Sequence, residues 1–93
     1  MTVSLHARPK LAAKARLRFD RKSDRYMLLY PEKGLALNPT AAEIVKLCTG
    51  EHSVAAIVER LAAQYGQDAA AIERQVLELL ASLAERGLVK ENT

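Results

Sequence analysis

The stretch Leu35 to Gly50, LALNPTAAEIVKLCTG, changes its hydrophobic period within two residues. Apolar residues alternate before it, the period of a half-buried strand. Beyond it, Ala41, Ile44, Val45 and Cys48 recur at the i, i+3, i+4, i+7 spacing of one helix face. The change falls on Asn38-Pro39, a helix cap followed by proline at the first helical position, and Gly50 is expected to stop the helix. A strand must therefore feed directly into a helix, which sets the edge of a small sheet beside helical surface.

Upstream, Ala15, Leu17 and Phe19 alternate with Arg16, Arg18 and Asp20, and a polar connection from Arg21 to Asp24 follows. Arg25 to Tyr30 is apolar on both faces, with Tyr26, Leu28 and Tyr30 on one and Met27 and Leu29 on the other. Such a strand belongs in the middle of a sheet or beneath a cover. Pro31 to Gly34 reads as a tight turn, and Leu35 to Leu37 as a third strand. Downstream, one helix is expected over residues 39–49. A second follows Ser53, with Val54, Ile57, Val58, Leu61 and Tyr65 on one face, and stops at Gly66. The third follows Asp68 and runs to about Arg86, with Ile72, Val76, Leu79, Leu80 and Leu83 as its stripe and Gly87 as its C-cap. Leu88 and Val89 are expected to pack the tail back down.

The pattern predicts an α+β, winged-helix-like domain: a three-stranded antiparallel sheet followed by a three-helix bundle. Residues 1–13, where Arg8-Pro9 favours extended backbone, are read as an irregular arm, and residues 14–91 as a single domain. With 93 residues, nearly half hydrophobic but only 4% aromatic, the core has to come from Leu, Val, Ile and Ala.

Charge is unevenly spread. Residues 1–25 hold eight Lys/Arg against two Asp, whereas residues 26–93 hold six against nine Asp/Glu. The helical part is thus mildly acidic and poorly suited to lie on phosphates. No apolar run approaches the roughly 20 residues that span a bilayer, and basic residues interrupt the N-terminal region where a signal sequence would be apolar. One cysteine fits a reducing compartment. These features predict a cytoplasmic protein without membrane or nucleic-acid partners.

Catalytic constellations are missing from the pattern. His6 and His52 have no cysteine or carboxylate at ligand spacing, and no glycine-rich phosphate loop occurs. Cys48 shares the apolar register of Ile44 and Val45, which makes it a core thiol. No enzyme activity, metal or cofactor is expected. Binding remains, because a sheet edge with unpaired N–H and C=O groups accepts an extended peptide as an added strand. On the third helix, Leu77, Ala81, Ala84 and Ala70 lie to one side of the main stripe. Either that helix is buried on two sides, or Leu77, Leu80 and Ala84 wall a groove for a partner.

The segments RPKL (8–11), RLRFD (16–20), DRYMLLYPEK (24–33), LNPTAAEIVKLCTG (37–50) and LAERGLV (83–89), in this order and spacing, resemble the PqqD family of pyrroloquinoline quinone biosynthesis. The resemblance runs from Arg8 to Val89. It implies a RiPP recognition element without catalysis or cofactor, which binds a PqqA-like precursor peptide and presents it to a PqqE-like radical SAM enzyme. It also implies that the peptide adds beside the third strand, at Lys33, Leu35, Ala36, Leu37 and Asn38, and packs on the third helix. There the helical wheel selects Arg74, Leu77, Glu78 and Ala81. Two rival readings are a DNA-binding winged helix, disfavoured by Glu73, Glu78 and Glu85 on the third helix, and a homodimer through Met27 and Leu29.

Overall fold

The computed structural model describes residues 4–91 apart from Glu32. Its elements are β1 (Pro9–Leu11), β2 (Arg16–Asp20), β3 (Arg25–Tyr30), β4 (Lys33–Ala36), α1 (Pro39–Lys46), α2 (Val54–Tyr65), α3 (Ala69–Glu85) and β5 (Val89–Glu91). Strands β2, β3 and β4 form an antiparallel sheet in that order, and the three helices follow it. This is the α+β arrangement that the period changes predict.

The register explains the two-faced β3. Leu17 lies opposite Leu28, and Leu28 opposite Leu35, so these three share the inner face. Leu28 is fully buried there, in one core with Leu37, Ile44, Ile57, Leu61, Val76, Leu80 and Leu83. On the outer face Met27 and Leu29 are half-buried. Burial of this one continuous cluster is the main stabilising term, at about 25 cal/mol for each Å² of apolar surface removed from water.

Several local expectations are corrected. Pro9–Leu11 of the expected irregular arm is a strand, antiparallel to β5, with Lys10 also bridging Thr49. Ala7 and Ala12, on either side of it, are buried. A three-residue strand whose partner lies some eighty residues away leaves no periodic trace. Residues 1–3 of that arm lie outside the described residues. The first sheet strand begins at Arg16, and β4 begins at Lys33, two residues before the expected start, and ends at Ala36, one residue before the expected end. Leu37 keeps one ladder bond, donating its N–H to Tyr26 O at 2.9 Å. Of the expected turn from Pro31 to Gly34, Lys33 and Gly34 are strand, and Glu32 lies outside the described residues.

Helix α1 ends at Lys46 rather than near Thr49. Gly50 is not its cap: with φ 86° it donates its N–H to Pro9 O at 3.0 Å, tying the segment to β1. The other helix ends follow their sequence signals. Ser53 accepts the Ala56 N–H at 3.1 Å, and Gly66 closes α2 in the left-handed conformation. After α3, Gly87 at φ 71° lets Leu88 fold back and donate to Leu83 O at 2.9 Å. Leu88 is fully buried as a result.

Candidate functional site

Strand β4 is an edge of its sheet. In an antiparallel pair, alternate residues bond to the neighbour and the others point their N–H and C=O away from it. Leu37 N–H points to Tyr26 O. Counting back by twos, Leu35 and Lys33 also face β3, opposite Leu28 and Tyr30. Gly34 and Ala36 therefore turn their N–H and C=O to the open side. Two donors and two acceptors, spaced one residue apart, are the template that an added strand needs.

Helix α3 lies along this edge. At one end, Arg86 donates from Nη1 to the Tyr30 hydroxyl at 3.5 Å, and Tyr30 is opposite Lys33, the first residue of β4. Beyond the other end of β4, Asn38, Thr40, Ala41 and Ile44 share a groove of about 320 Å³ with Gln75, Glu78 and Leu79 of α3. So β4 runs beside α3 from its C-terminal end to its middle. Ser82, in the i+4 row between Glu78 and Arg86, lies along the same side.

The junction between edge and groove is held by Asn38. Its Oδ1 accepts the Ala41 N–H at 2.7 Å, with Pro39 at the first helical position. The same junction borders a larger cavity of about 570 Å³, lined by Phe19, Tyr26, Ala36, Pro39 and Ala42 among others. There the Phe19 and Tyr26 rings meet edge to face at 5.2 Å. Lys46 Nζ stands 4.3 Å from the Tyr26 ring centroid and 3.1 Å from Glu43. The bond to Glu43, then that to Tyr26, holds the Lys46 ammonium above its ordinary pKa.

The residues expected at the site divide into three groups. Lys33, Ala36 and Asn38 are exposed along the edge, and Leu35 is half-buried. Leu37 is buried in the core, where only its backbone remains near the edge. On α3 Glu78 lines the groove, whereas Arg74, Leu77 and Ala81 are not among its lining residues. Leu77 is half-buried against the core. On the helical wheel it is roughly 160° from Leu79, which does line the groove. The wide apolar arc of α3 is thus packing on two sides. Gln75, Leu79, Thr40 and Ala41 were missed by the sequence reading. Which side of the stripe meets the sheet depends on how α3 crosses it, and periodicity does not carry that information.

Among the described residues no three His, Cys, Asp or Glu side chains cluster where they could hold a metal. No helix there is long and apolar enough to cross a membrane. Cys48 is buried, donates from Sγ to Ile44 O at 3.3 Å, and burial pushes its thiol up to about 12. It is a core group and a poor nucleophile.

An open strand edge set beside a helix, with a groove at its end, defines the class: a small binding module for an extended chain. The model of coenzyme PQQ synthesis protein D (PqqD) matches residues 25–89, and the chain belongs to this family. A PqqA binding protein of Rhodopseudomonas palustris (strain BisB5) is 43% identical over 91 residues, covering 98% of this chain and 89% of the relative. Among solved structures, the PqqD portion of Methylobacterium extorquens PqqCD, a functional and stand-alone RiPP recognition element, is 34% identical with TM-score 0.84. It covers 95% of this chain and 94% of that one. Lasso peptide synthetase B1, complexed with the leader peptide, is 27% identical with TM-score 0.76, covering 90% and 99%.

Proposed function

We propose that this domain binds a PqqA-like ribosomal precursor peptide as a strand added to β4, and presents it in the cytoplasm to a PqqE-like radical SAM enzyme. It does no chemistry itself. The observation that carries the reading is the outward N–H and C=O of Gly34 and Ala36, on an edge that runs beside α3 and ends at the groove of Asn38, Gln75, Glu78 and Leu79. The relatives' name, PqqA binding protein, and the leader-peptide complex of the structural neighbour support the choice of ligand.

The benefit of such a carrier is effective concentration. A flexible precursor held on a module that also docks on the enzyme meets the active site as an intramolecular partner. Ordering the peptide costs conformational entropy, so affinity is moderate and release is easy. An amide NMR titration with the unmodified precursor peptide tests this. Shifts are expected at Gly34, Ala36 and Asn38 and along α3 from Gln75 to Arg86. A peptide that moves none of these resonances at saturating concentration would rule the reading out.

A further inference from the structure

The outer face of the β2–β3–β4 sheet has an unusual charge balance. Three rows cross it: Arg16, Leu29 and Gly34 in one, Arg18, Met27 and Ala36 in the next, and Asp20 with Arg25 at the hairpin end. Both arginines are exposed, while Met27 and Leu29 are half-buried between them and β4. A Cβ built at Gly34 would meet Leu29 Cδ2 at 3.2 Å and Met27 Cε at 3.4 Å, so both apolar side chains reach over this strand. The result is a low apolar platform with guanidinium groups along its β2 side.

Among the described residues nothing neutralises those groups. Among the described residues the only ion pair is Lys46 with Glu43. Asp20 is the only carboxylate in the three strands, and it is turned into its own hairpin. It accepts the Ser23 hydroxyl at 2.7 Å and the Lys22 N–H at 3.3 Å. Arg16 and Arg18 are therefore free to pair with carboxylates brought by another molecule.

We propose that this face docks the modifying enzyme, through an enzyme surface that sets an apolar patch beside carboxylates. The proposal rests on the peptide-presenting function above. Charge complementarity selects the occupant. A second copy packed face to face would bring no carboxylate to either pair of arginines, since Asp20 of each copy is held in its own hairpin. Duplex DNA would satisfy the arginines but leave Met27 and Leu29 against a charged backbone. An acidic-rimmed apolar protein surface satisfies the first two rows.

The location also accounts for presentation. The open N–H and C=O of Gly34 and Ala36 point sideways in the plane of the sheet, so an added strand widens the sheet and leaves the outer face uncovered. Every second side chain of that strand then stands on the outer face, next to the small side chains of Gly34 and Ala36. An enzyme seated on Met27 and Leu29 reaches those side chains directly.

The test uses the full chain, the precursor peptide and the radical SAM enzyme, with Arg16→Glu/Arg18→Glu and, separately, Met27→Thr. Amide spectra establish that each variant is folded. The double variant is expected to bind enzyme about tenfold more weakly or worse, with peptide affinity within about twofold of wild type and weakening of wild-type docking by salt. Met27→Thr is expected to weaken enzyme binding without that salt dependence changing. Unchanged enzyme affinity in both folded variants overturns the proposal. So does a wild-type dimer in sedimentation that Met27→Thr dissolves, or duplex DNA binding lost in the double variant. Wild-type chain that binds enzyme but no peptide would defeat the peptide reading separately.

Discussion

Asn38 Oδ1 accepts the Ala41 N–H at 2.7 Å, so the residue just beyond the open edge of β4 also caps the helix that walls the groove. Asn38→Ala should cost about 1 kcal/mol of stability, or roughly 4–8 °C in Tm for a domain of this size. Peptide affinity should fall with it, since the junction loosens. Asn38→Asp retains an acceptor oxygen and should restore most of both. Thermal unfolding and calorimetric titration of the pair of variants would check this.

Proline separates the two sides of β4. At Ala36 the N–H faces the open edge, so Ala36→Pro removes a donor to the added strand while leaving the bonds to β3 in place. The domain should stay folded, because an edge strand tolerates proline on its solvent side. Peptide affinity should fall about tenfold or more, the equivalent of ~1.4 kcal/mol. Leu35→Pro should instead break the ladder opposite Leu28 and unfold the sheet. If Ala36→Pro binds peptide as the wild type does, the peptide does not add to this edge.

Leu77 and Glu78 are neighbours in sequence with opposite expected phenotypes. Leu77 is half-buried against the core. Leu77→Glu puts a carboxylate there and should destabilise the fold by about 1–3 kcal/mol. Glu78 is exposed and lines the groove. Glu78→Lys should leave stability within about 0.5 kcal/mol and change peptide affinity. Chemical denaturation and peptide titration on both variants separate the two. A Leu77→Glu domain as stable as wild type but blind to peptide would move the binding surface to the other flank of α3.

The architecture was legible because each element has its own period or cap. Asn38-Pro39 marks the strand-to-helix switch, and Ser53 and Gly66 bracket α2. Leu28 is readable as a central-strand core residue from the double-faced run around it. Long-range pairings were not legible. The β1–β5 ladder joins Lys10 to Lys90 and depends on no local signal. The candidate site was half legible for the same reason. Lys33, Ala36 and Asn38 lie on the edge because the edge is a consequence of strand order. Leu79 rather than Leu77 lines the groove because the buried row Ile72, Val76, Leu80 and Leu83 sets the rotation of α3 and leaves Leu79 on the side that faces α1. The open side of β4 likewise needed one observed bond, from Leu37 N–H to Tyr26 O, to set the alternation.

Cys48 provides a pH test of the core that involves neither peptide nor enzyme. Burial raises its thiol from 9.0 to about 12. Above pH 9 the unfolded chain loses this proton while the folded one keeps it, so the unfolded state gains from rising pH. Stability should fall with a slope approaching ~1.4 kcal/mol per pH unit from this one group, between roughly pH 9 and 12. Cys48→Ala deletes the titration at the cost of a small void, so its deficit against wild type should shrink between pH 8 and 10.5. Lysine and tyrosine titrations are common to both proteins and cancel in the difference. Parallel denaturation curves at each pH measure it, and a deficit that stays constant would mean that the thiol ionises as readily in the folded chain as in the unfolded one.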